Sequence, residues 1–88
     1  MSRTPQDYQG SARFGEKLKV LRARNAMTLQ QLAMALGHSA HGYISELEAG
    51  KKQPTVALVL RVAEFFGVTT DELLRDDIEL GKPAQHDG

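Results

Sequence analysis

Residues 27–50 read MTLQQLAMALGHSAHGYISELEAG and predict two short α-helices joined by a turn. Thr28 precedes Gln31 by three positions, the spacing of a capping box, so the first helix of the pair begins directly after Thr28. Gly37 follows the apolar stripe of that helix and can adopt the positive φ that ends it. The second helix follows a polar stretch and ends at Gly50. The segment therefore predicts two adjacent helices at a tight turn.

Three further helices are predicted around this pair. Phe14, Leu18 and Leu21 recur on one helical face, which predicts the first helix of the chain. Thr69 precedes Glu72 by the same capping-box spacing and predicts a short fifth helix. The fourth helix is predicted from a wide apolar face that contains Val56, Val59, Leu60, Val62, Ala63 and Phe66. Because no strand pattern or internal repeat occurs, we predict an all-α fold, a compact five-helix bundle.

The composition limits the classes of protein that the chain can belong to. Its 88 residues suffice for one small domain and leave no room for a two-domain enzyme. Apolar residues make up 41% and charged residues 25%, as in globular proteins, and cysteine is absent, which excludes a disulfide framework. The longest apolar run, residues 56–60, is far shorter than the roughly 20 residues of a membrane span. We expect a cytoplasmic protein with no membrane partner.

The formal net charge is zero, but the charges are distributed unevenly. Residues 1–36 carry six basic and two acidic side chains, a net charge of +4, and residues 61–88 carry three basic and seven acidic ones, a net charge of −4. The basic half can attract phosphates, and we expect the acidic half to point away from them or to lie near a second subunit. We also predict a flexible lead-in over residues 1–10, a folded domain over 11–76 and an acidic, disordered tail over 77–88.

Two short helices joined by a turn within a helical bundle are the arrangement of a helix-turn-helix domain. The chain resembles the phage-repressor and Cro type of this domain, the XRE family, from about Phe14 to Leu74. The matching motifs, in order, are MTLQQLA at 27–33, YISELEAGKKQPT at 43–55, LRVA at 60–63 and GVTTDELL at 67–74. The resemblance implies a lambda-repressor-like fold and a homodimeric, sequence-specific repressor without a cofactor. The helix around residues 40–49, here termed the reading helix, would enter the major groove of a palindromic, double-stranded DNA operator.

The resemblance also implies which residues meet the DNA. Base edges would be contacted by small or polar residues at the start of the reading helix: Ser39, Ala40, His41, Gly42, Tyr43 and Glu46. Phosphates would be contacted by residues at the start of the preceding helix and around the end of the reading helix: Thr28, Gln30, Ser45, Lys51, Lys52 and Gln53. Arg22 and Glu48 match a pair that the family buries as a structural ion pair.

The sequence departs from the family pattern at two places. Five residues, 38–42, separate Gly37 from Tyr43 where the family usually has four, so the turn is one residue longer and the operator sequence is not predictable. Leu29 stands where the family often has Gln, which removes one expected phosphate contact and leaves Gln30 as its substitute.

Metal binding and catalysis are weak alternatives. His38 and His41 are three positions apart, but two ligands without a third do not make a closed zinc site, so they are better explained as turn or DNA-facing residues. Ser45, His41 and Asp71 show no spacing of a nucleophile and its base, so we predict no enzyme activity. A domain of this size also leaves no sizeable pocket, and no small-molecule ligand is predicted.

A self-association surface is predicted on the fourth helix, because a repressor of this kind covers two half-sites about 34 Å apart. Leu58 and Phe65 lie off the predicted core stripe, and Ile78 and Leu80 follow in the acidic segment. We predict that these four residues form the dimer interface. The alternative is that Phe65 folds over its own core.

Two other functions share much of this pattern. An antitoxin or a restriction-modification controller protein would bind DNA with the same residues. A protein-interaction module could keep the bundle without binding DNA. Lys51 and Lys52, together with the slim residues Ala40 and Gly42, favour DNA binding, because an interaction module does not need them.

Overall fold

The computed structural model describes residues 13–37 and 41–81, which contain five α-helices and no strand. The helices are α1 (Phe14–Arg24), α2 (Leu29–Ala35), α3 (His41–Glu48), α4 (Val56–Phe66) and α5 (Thr70–Leu74). The all-α, five-helix prediction is confirmed. None of the helices in these two ranges is both long enough and apolar enough to cross a bilayer.

The helix starts are those that the capping spacings predict. Thr28 Oγ1 accepts from the backbone N–H of Gln31 at 3.0 Å, and the Gln31 side-chain oxygen accepts from the Thr28 N–H at 2.8 Å. Thr69 and Glu72 form the same reciprocal pair at the start of α5, at 2.9 and 2.8 Å. Both capping boxes are confirmed, and each satisfies two backbone donors that a helix start leaves open.

The core lies where the apolar faces of the five helices meet. Its buried members are aliphatic apart from Phe14: Phe14, Leu18, Leu21, Leu32, Ala33, Leu36, Ile44, Leu47, Leu58, Val59, Val62, Ala63 and Leu73. The predicted face of α4 is partly wrong, because Val56 is 77% and Leu60 50% exposed while Leu58 is 2% exposed. With so many apolar residues on α4, the pattern predicted a helix but did not fix which side of it faces inward.

Lys17 of α1 is buried, although lysine side chains are rarely buried. Its side chain is 1% exposed, and Nζ donates to the carbonyl oxygens of Glu72 at 2.6 Å, Arg75 at 2.8 Å and Ile78 at 2.6 Å. Three acceptors match the three N–H groups of an ammonium, so the buried charge is fully hydrogen-bonded. Lys17 therefore joins α1 to the end of α5 and to the segment that follows.

Residues 75–81, here termed the C-terminal strap, lie against α1. The Arg13 guanidinium donates two hydrogen bonds to the Glu79 carboxylate, at 2.8 and 2.9 Å. The backbone N–H of Arg13 donates to Asp76 Oδ1 at 3.1 Å. Arg24 Nη1 donates to the Gly81 carbonyl at 2.8 Å. The predicted tail boundary is therefore too early, because the described part of the tail, residues 77–81, packs on the domain.

The strap also corrects the expectation about charge. Arg13 is paired with acidic residues of the strap, Lys17 is buried beneath it, and Arg22 is paired with Glu48. Carboxylates thus neutralise Arg13 and Arg22 within the molecule, and the acidic strap packs on α1. Arg13, Lys17 and Arg22 are therefore already engaged inside the domain and are not candidates for phosphate contacts.

Candidate nucleic-acid interface

The reading helix, α3, packs on α2 through one face and exposes the other. Ile44 and Leu47 are 0% and 1% exposed and hold α3 on the core. The outer face consists of His41, Gly42, Ser45 and Glu46, all exposed, with Tyr43 half-buried beside it. Gly42 and Ser45 give this face two slim positions, which favour entry into a major groove of about 12 Å. The other two predicted base-contacting residues, Ser39 and Ala40, lie outside the described residues.

The C-terminal end of α3 is fixed to α1 by a two-bond ion pair. Arg22 Nε lies 2.7 Å from Glu48 Oε2, and Arg22 Nη2 lies 3.0 Å from Glu48 Oε1. Arg22 Nη1 also donates to the Met27 carbonyl at 2.9 Å, which ties the connection before α2 to the same group. The hydrogen bonds that Arg22 donates to the Glu48 carboxylate raise the pKa of Arg22 above its ordinary value, so the guanidinium stays charged. The structure thus brings together the two residues predicted as a structural pair.

Gly15 lets α1 approach the end of α3 closely. A Cβ at this position would lie 2.8 Å from the Glu48 carbonyl oxygen and closer still to that of Leu47. Both neighbours are backbone atoms, which cannot rotate out of the way. Sequence reasoning missed Gly15, because its φ is not positive and nothing in the helical pattern marks it.

A basic segment follows the reading helix. Lys51, Lys52 and Gln53 are exposed directly after α3, where a phosphate backbone would run beside a helix in the groove. Lys52 Nζ lies 3.9 Å from Glu46 Oε1, and both side chains are about half exposed, so this ion pair is weak. Lys52 can therefore exchange Glu46 for a phosphate at little cost.

The start of α2 presents its amides on the exterior of the domain. Thr28 and Gln30 are exposed there, and the capping box occupies the amides of Thr28 and Gln31. The amides of Leu29 and Gln30 belong to the same first turn and lie at the positive end of the helix dipole. This geometry suits the oxygen atoms of a phosphate group.

The predicted self-association residues differ in burial and do not form one exposed patch. Leu58 is buried in the core, so the prediction that it belongs to a surface patch is wrong. Ile78 and Leu80 are half-buried, and Leu80 packs against the core from the strap. Phe65 is 48% exposed and meets Phe66 edge to face with ring centroids 4.9 Å apart.

Within residues 13–37 and 41–81, no three His, Cys, Asp or Glu side chains are close enough to hold a metal ion. His41 is exposed at the start of α3, and His38 lies outside the described residues.

The described residues thus contain a pair of helices, α2 and α3, with a slim outer face and adjacent basic residues. This arrangement defines a helix-turn-helix domain.

Comparison with known proteins agrees with this class. Residues 18–73, more than half of the chain, match the helix-turn-helix family model. The chain belongs to the XRE-type helix-turn-helix family.

Three relatives have names that refer to transcription. The chain is 35% identical over 74 residues to the SPbeta prophage-derived uncharacterized HTH-type transcriptional regulator YonR of Bacillus subtilis, a match that covers 84% of this chain and 63% of YonR. It is 41% identical over 61 residues to the HTH-type transcriptional activator BcrR of Enterococcus faecalis, covering 69% of this chain and 29% of BcrR. An uncharacterized HTH-type transcriptional regulator of Methanocaldococcus jannaschii is 39% identical over 57 residues, covering 65% of this chain and 85% of the relative. The chain thus spans less than two thirds of YonR and of BcrR.

Solved structures share the fold. The P22 c2 repressor in complex with synthetic operator 9T superimposes with a TM-score of 0.66 at 23% identity, covering 73% of this chain and 96% of that one. The restriction-modification controller protein C.AhdI of Aeromonas hydrophila gives 0.63 at 24% identity, covering 70% and 92%. The clp gene regulator ClgR of Corynebacterium glutamicum gives 0.63 at 34% identity, covering 70% and 65%.

Proposed function

We propose that the chain is a sequence-specific DNA-binding transcriptional regulator that acts as a homodimeric repressor on a palindromic operator. The observation that carries the proposal is the exposed outer face of α3, with its slim positions Gly42 and Ser45. Lys51 and Lys52 follow this helix, and Arg22 and Glu48 hold its end. In this proposal His41, Gly42, Tyr43 and Glu46 contact bases, with Ser39 and Ala40 before them. Lys51, Lys52, Gln53, Thr28, Gln30 and Ser45 contact phosphates.

Several features support this proposal against the protein-interaction alternative. The chain belongs to a helix-turn-helix family, and its relatives are named as transcriptional regulators. The interface joins a slim helix face to basic residues, a combination that suits a groove flanked by phosphates. We propose neither a catalytic role nor a cofactor, and we place the protein in the cytoplasm at its DNA.

The direction of regulation is proposed as repression, because occupying a promoter requires nothing beyond DNA binding. A reporter gene behind the selected operator measures this directly. Reporter expression should fall when the protein is supplied. A rise in expression would show that the protein is an activator, which is the role given in the name of BcrR. The operator's position relative to a toxin or a restriction gene would distinguish the antitoxin and controller alternatives.

DNA binding is tested by selection from random duplexes, followed by titration of the selected and a scrambled duplex at several salt concentrations. The logarithm of affinity should fall steeply with the logarithm of salt, by about 0.9 per neutralised phosphate. Replacing both Lys51 and Lys52 by Met should weaken binding to both duplexes and make this slope shallower. Lys19→Met removes the same kind of charge from the exposed side of α1 and serves as the control. No enrichment of any duplex, or a flat salt dependence, would refute the proposal.

The proposed dimer uses the exposed side of α4. Val56 and Leu60 are exposed large apolar side chains one helical turn apart on this side, and Phe65 is exposed at the opposite edge of the same exposed surface. A second copy could cover them in a two-fold arrangement that places two reading helices on one duplex. Leu60→Glu should then convert dimer to monomer in sedimentation. Met34→Glu, which charges an exposed apolar residue on α2, is the control, and an unchanged dimer for Leu60→Glu would refute this surface.

A further inference from the structure

Arg61 reaches from α4 to the end of α2. Its Nη1 donates to the Leu36 carbonyl oxygen at 2.9 Å, a partly buried hydrogen bond between residues 25 positions apart. Leu36 is the C-cap of α2, and its side chain is buried in the core. Carbonyls at the end of a helix lack partners within the helix and carry partial negative charge, so a guanidinium is a favourable donor there. Arg61 therefore fixes the last turn of α2 from outside the helix pair.

The same guanidinium lies against the first residue of the turn that leads to α3. Gly37 has φ +84°, and a Cβ built on it would lie 2.6 Å from Arg61 Nη1. Glycine at position 37 thus permits the positive φ and also leaves room for the Arg61 guanidinium. The contact places a fixed charge at the exit of α2, immediately before the longer turn.

We propose that Arg61 is a positioning residue for base reading: by holding the exit of α2, it sets the angle at which the outer face of α3 enters the groove. This inference rests on the proposed DNA-binding function. The Arg22–Glu48 pair fixes the C-terminal end of α3. Arg61 is its counterpart in the middle of the motif, where the chain leaves α2 for α3. Sequence-specific contacts depend on this angle, because a bidentate contact to a base edge tolerates little displacement.

A direct role of Arg61 at phosphate is the main alternative, and the two roles differ in what they predict. A phosphate contact adds affinity for every duplex and contributes to the salt slope. A positioning role changes the ratio of affinities for the operator and for other DNA and leaves the slope as it is. A role in stability alone lowers the midpoint of unfolding and changes neither quantity well below that midpoint.

The test compares Arg61→Met with Arg24→Met in the full chain. Arg24 is a matched control, because its guanidinium also donates to a backbone carbonyl, that of Gly81 at 2.8 Å, but on the far side of α1. Each variant is titrated with the selected and the scrambled duplex at several salt concentrations, after sedimentation shows the same oligomeric state as the parent. Arg61→Met should lower the affinity ratio about tenfold, comparable to one mismatched base pair, with an unchanged salt slope. Arg24→Met should leave the ratio unchanged.

Amide hydrogen exchange gives a readout that does not involve DNA. The N–H groups of Leu36 and Gly37 donate to carbonyls of α2, and both should exchange faster in Arg61→Met but not in Arg24→Met. An unchanged affinity ratio for Arg61→Met, or an equal loss on both duplexes with a shallower slope, would overturn the inference. If the parent chain prefers no duplex, the proposed function fails instead, and exchange at Leu36 and Gly37 still shows whether Arg61 holds the exit of α2.

Discussion

Replacing Gly15 by alanine tests the close approach of α1 to the end of α3. Gly15 is buried within α1, and alanine favours a helix by about 1 kcal/mol relative to glycine. Without a steric conflict, the substitution would therefore stabilise the protein. The added Cβ would meet the carbonyl oxygens of Leu47 and Glu48, the second at 2.8 Å, and neither can move without the backbone of α3.

The expected magnitude follows from these opposing effects. Overpacking a core typically costs about 1–3 kcal/mol, and the upper end applies here because both contacts are with backbone atoms. Subtracting about 1 kcal/mol of helix propensity leaves a net loss of about 2 kcal/mol in the free energy of unfolding. The helices must also separate, which stretches the ion pair between Arg22 and Glu48 from its 2.7 Å contact. The variant should consequently lose DNA specificity in addition to stability.

Gly42→Ala is the matched control for this experiment. It is the same substitution in another helix, but a Cβ there meets nothing within 4 Å. Urea unfolding followed by circular dichroism should show Gly42→Ala as stable as the parent or more stable by up to about 1 kcal/mol. If Gly15→Ala were also at least as stable as the parent, α1 and α3 would not pack as closely as described here, and the reasoning would be refuted.

Three further predictions concern the ion pairs and the strap. Arg22→Met leaves the Glu48 carboxylate without its partner at 7% exposure and should cost about 3 kcal/mol in urea unfolding; a loss below about 1 kcal/mol would mean that water replaces the partner. Lys17→Met removes three hydrogen bonds to backbone carbonyls and should both destabilise the domain and speed tryptic cleavage after Arg75, whereas unchanged cleavage would show that the strap is held without Lys17. Backbone N–H donation from Thr69 and from Gly81 holds the pKa of the Glu72 carboxyl below its ordinary value. A carboxyl with a lowered native pKa stabilises the fold above its unfolded pKa, so stability should fall as pH drops below the ordinary glutamate value, and Glu72→Gln, which can keep the capping box as Gln31 does, should flatten this acid limb.

Local signals predicted most of the helices. Thr28 with Gln31 and Thr69 with Glu72 announce two helix starts, because the side chain and the backbone it caps are only three residues apart. Gly37 likewise predicts a helix end, because glycine readily adopts the positive φ that the structure shows there. These features depend on neighbouring residues alone, so the sequence contains all the information that they require.

Features that depend on distant residues were missed or wrongly predicted. The burial of Lys17 could not be predicted, because lysine is rarely buried and its acceptors are carbonyls 55 to 61 positions away that no sequence pattern reveals. Leu58 was predicted on the surface and is buried, and Leu60 was predicted in the core and is exposed. The reason is that the inward side of α4 is set by the helices that pack on it. The contact of Arg61 with Leu36 has the same origin, since it joins two helices whose relative position is tertiary.

The burial of Lys17 also bears on the order in which the domain is completed during synthesis. A nascent chain that ends at Leu74 already contains all five helices of the described residues. It supplies only one of the three carbonyls that surround Lys17, because those of Arg75 and Ile78 have not been made. The ammonium of Lys17 must therefore stay hydrated, and α1 cannot pack fully on the end of α5 until the strap has been made. The reading helix, which packs on α1, would thus acquire its final support only after the last part of the domain has left the ribosome.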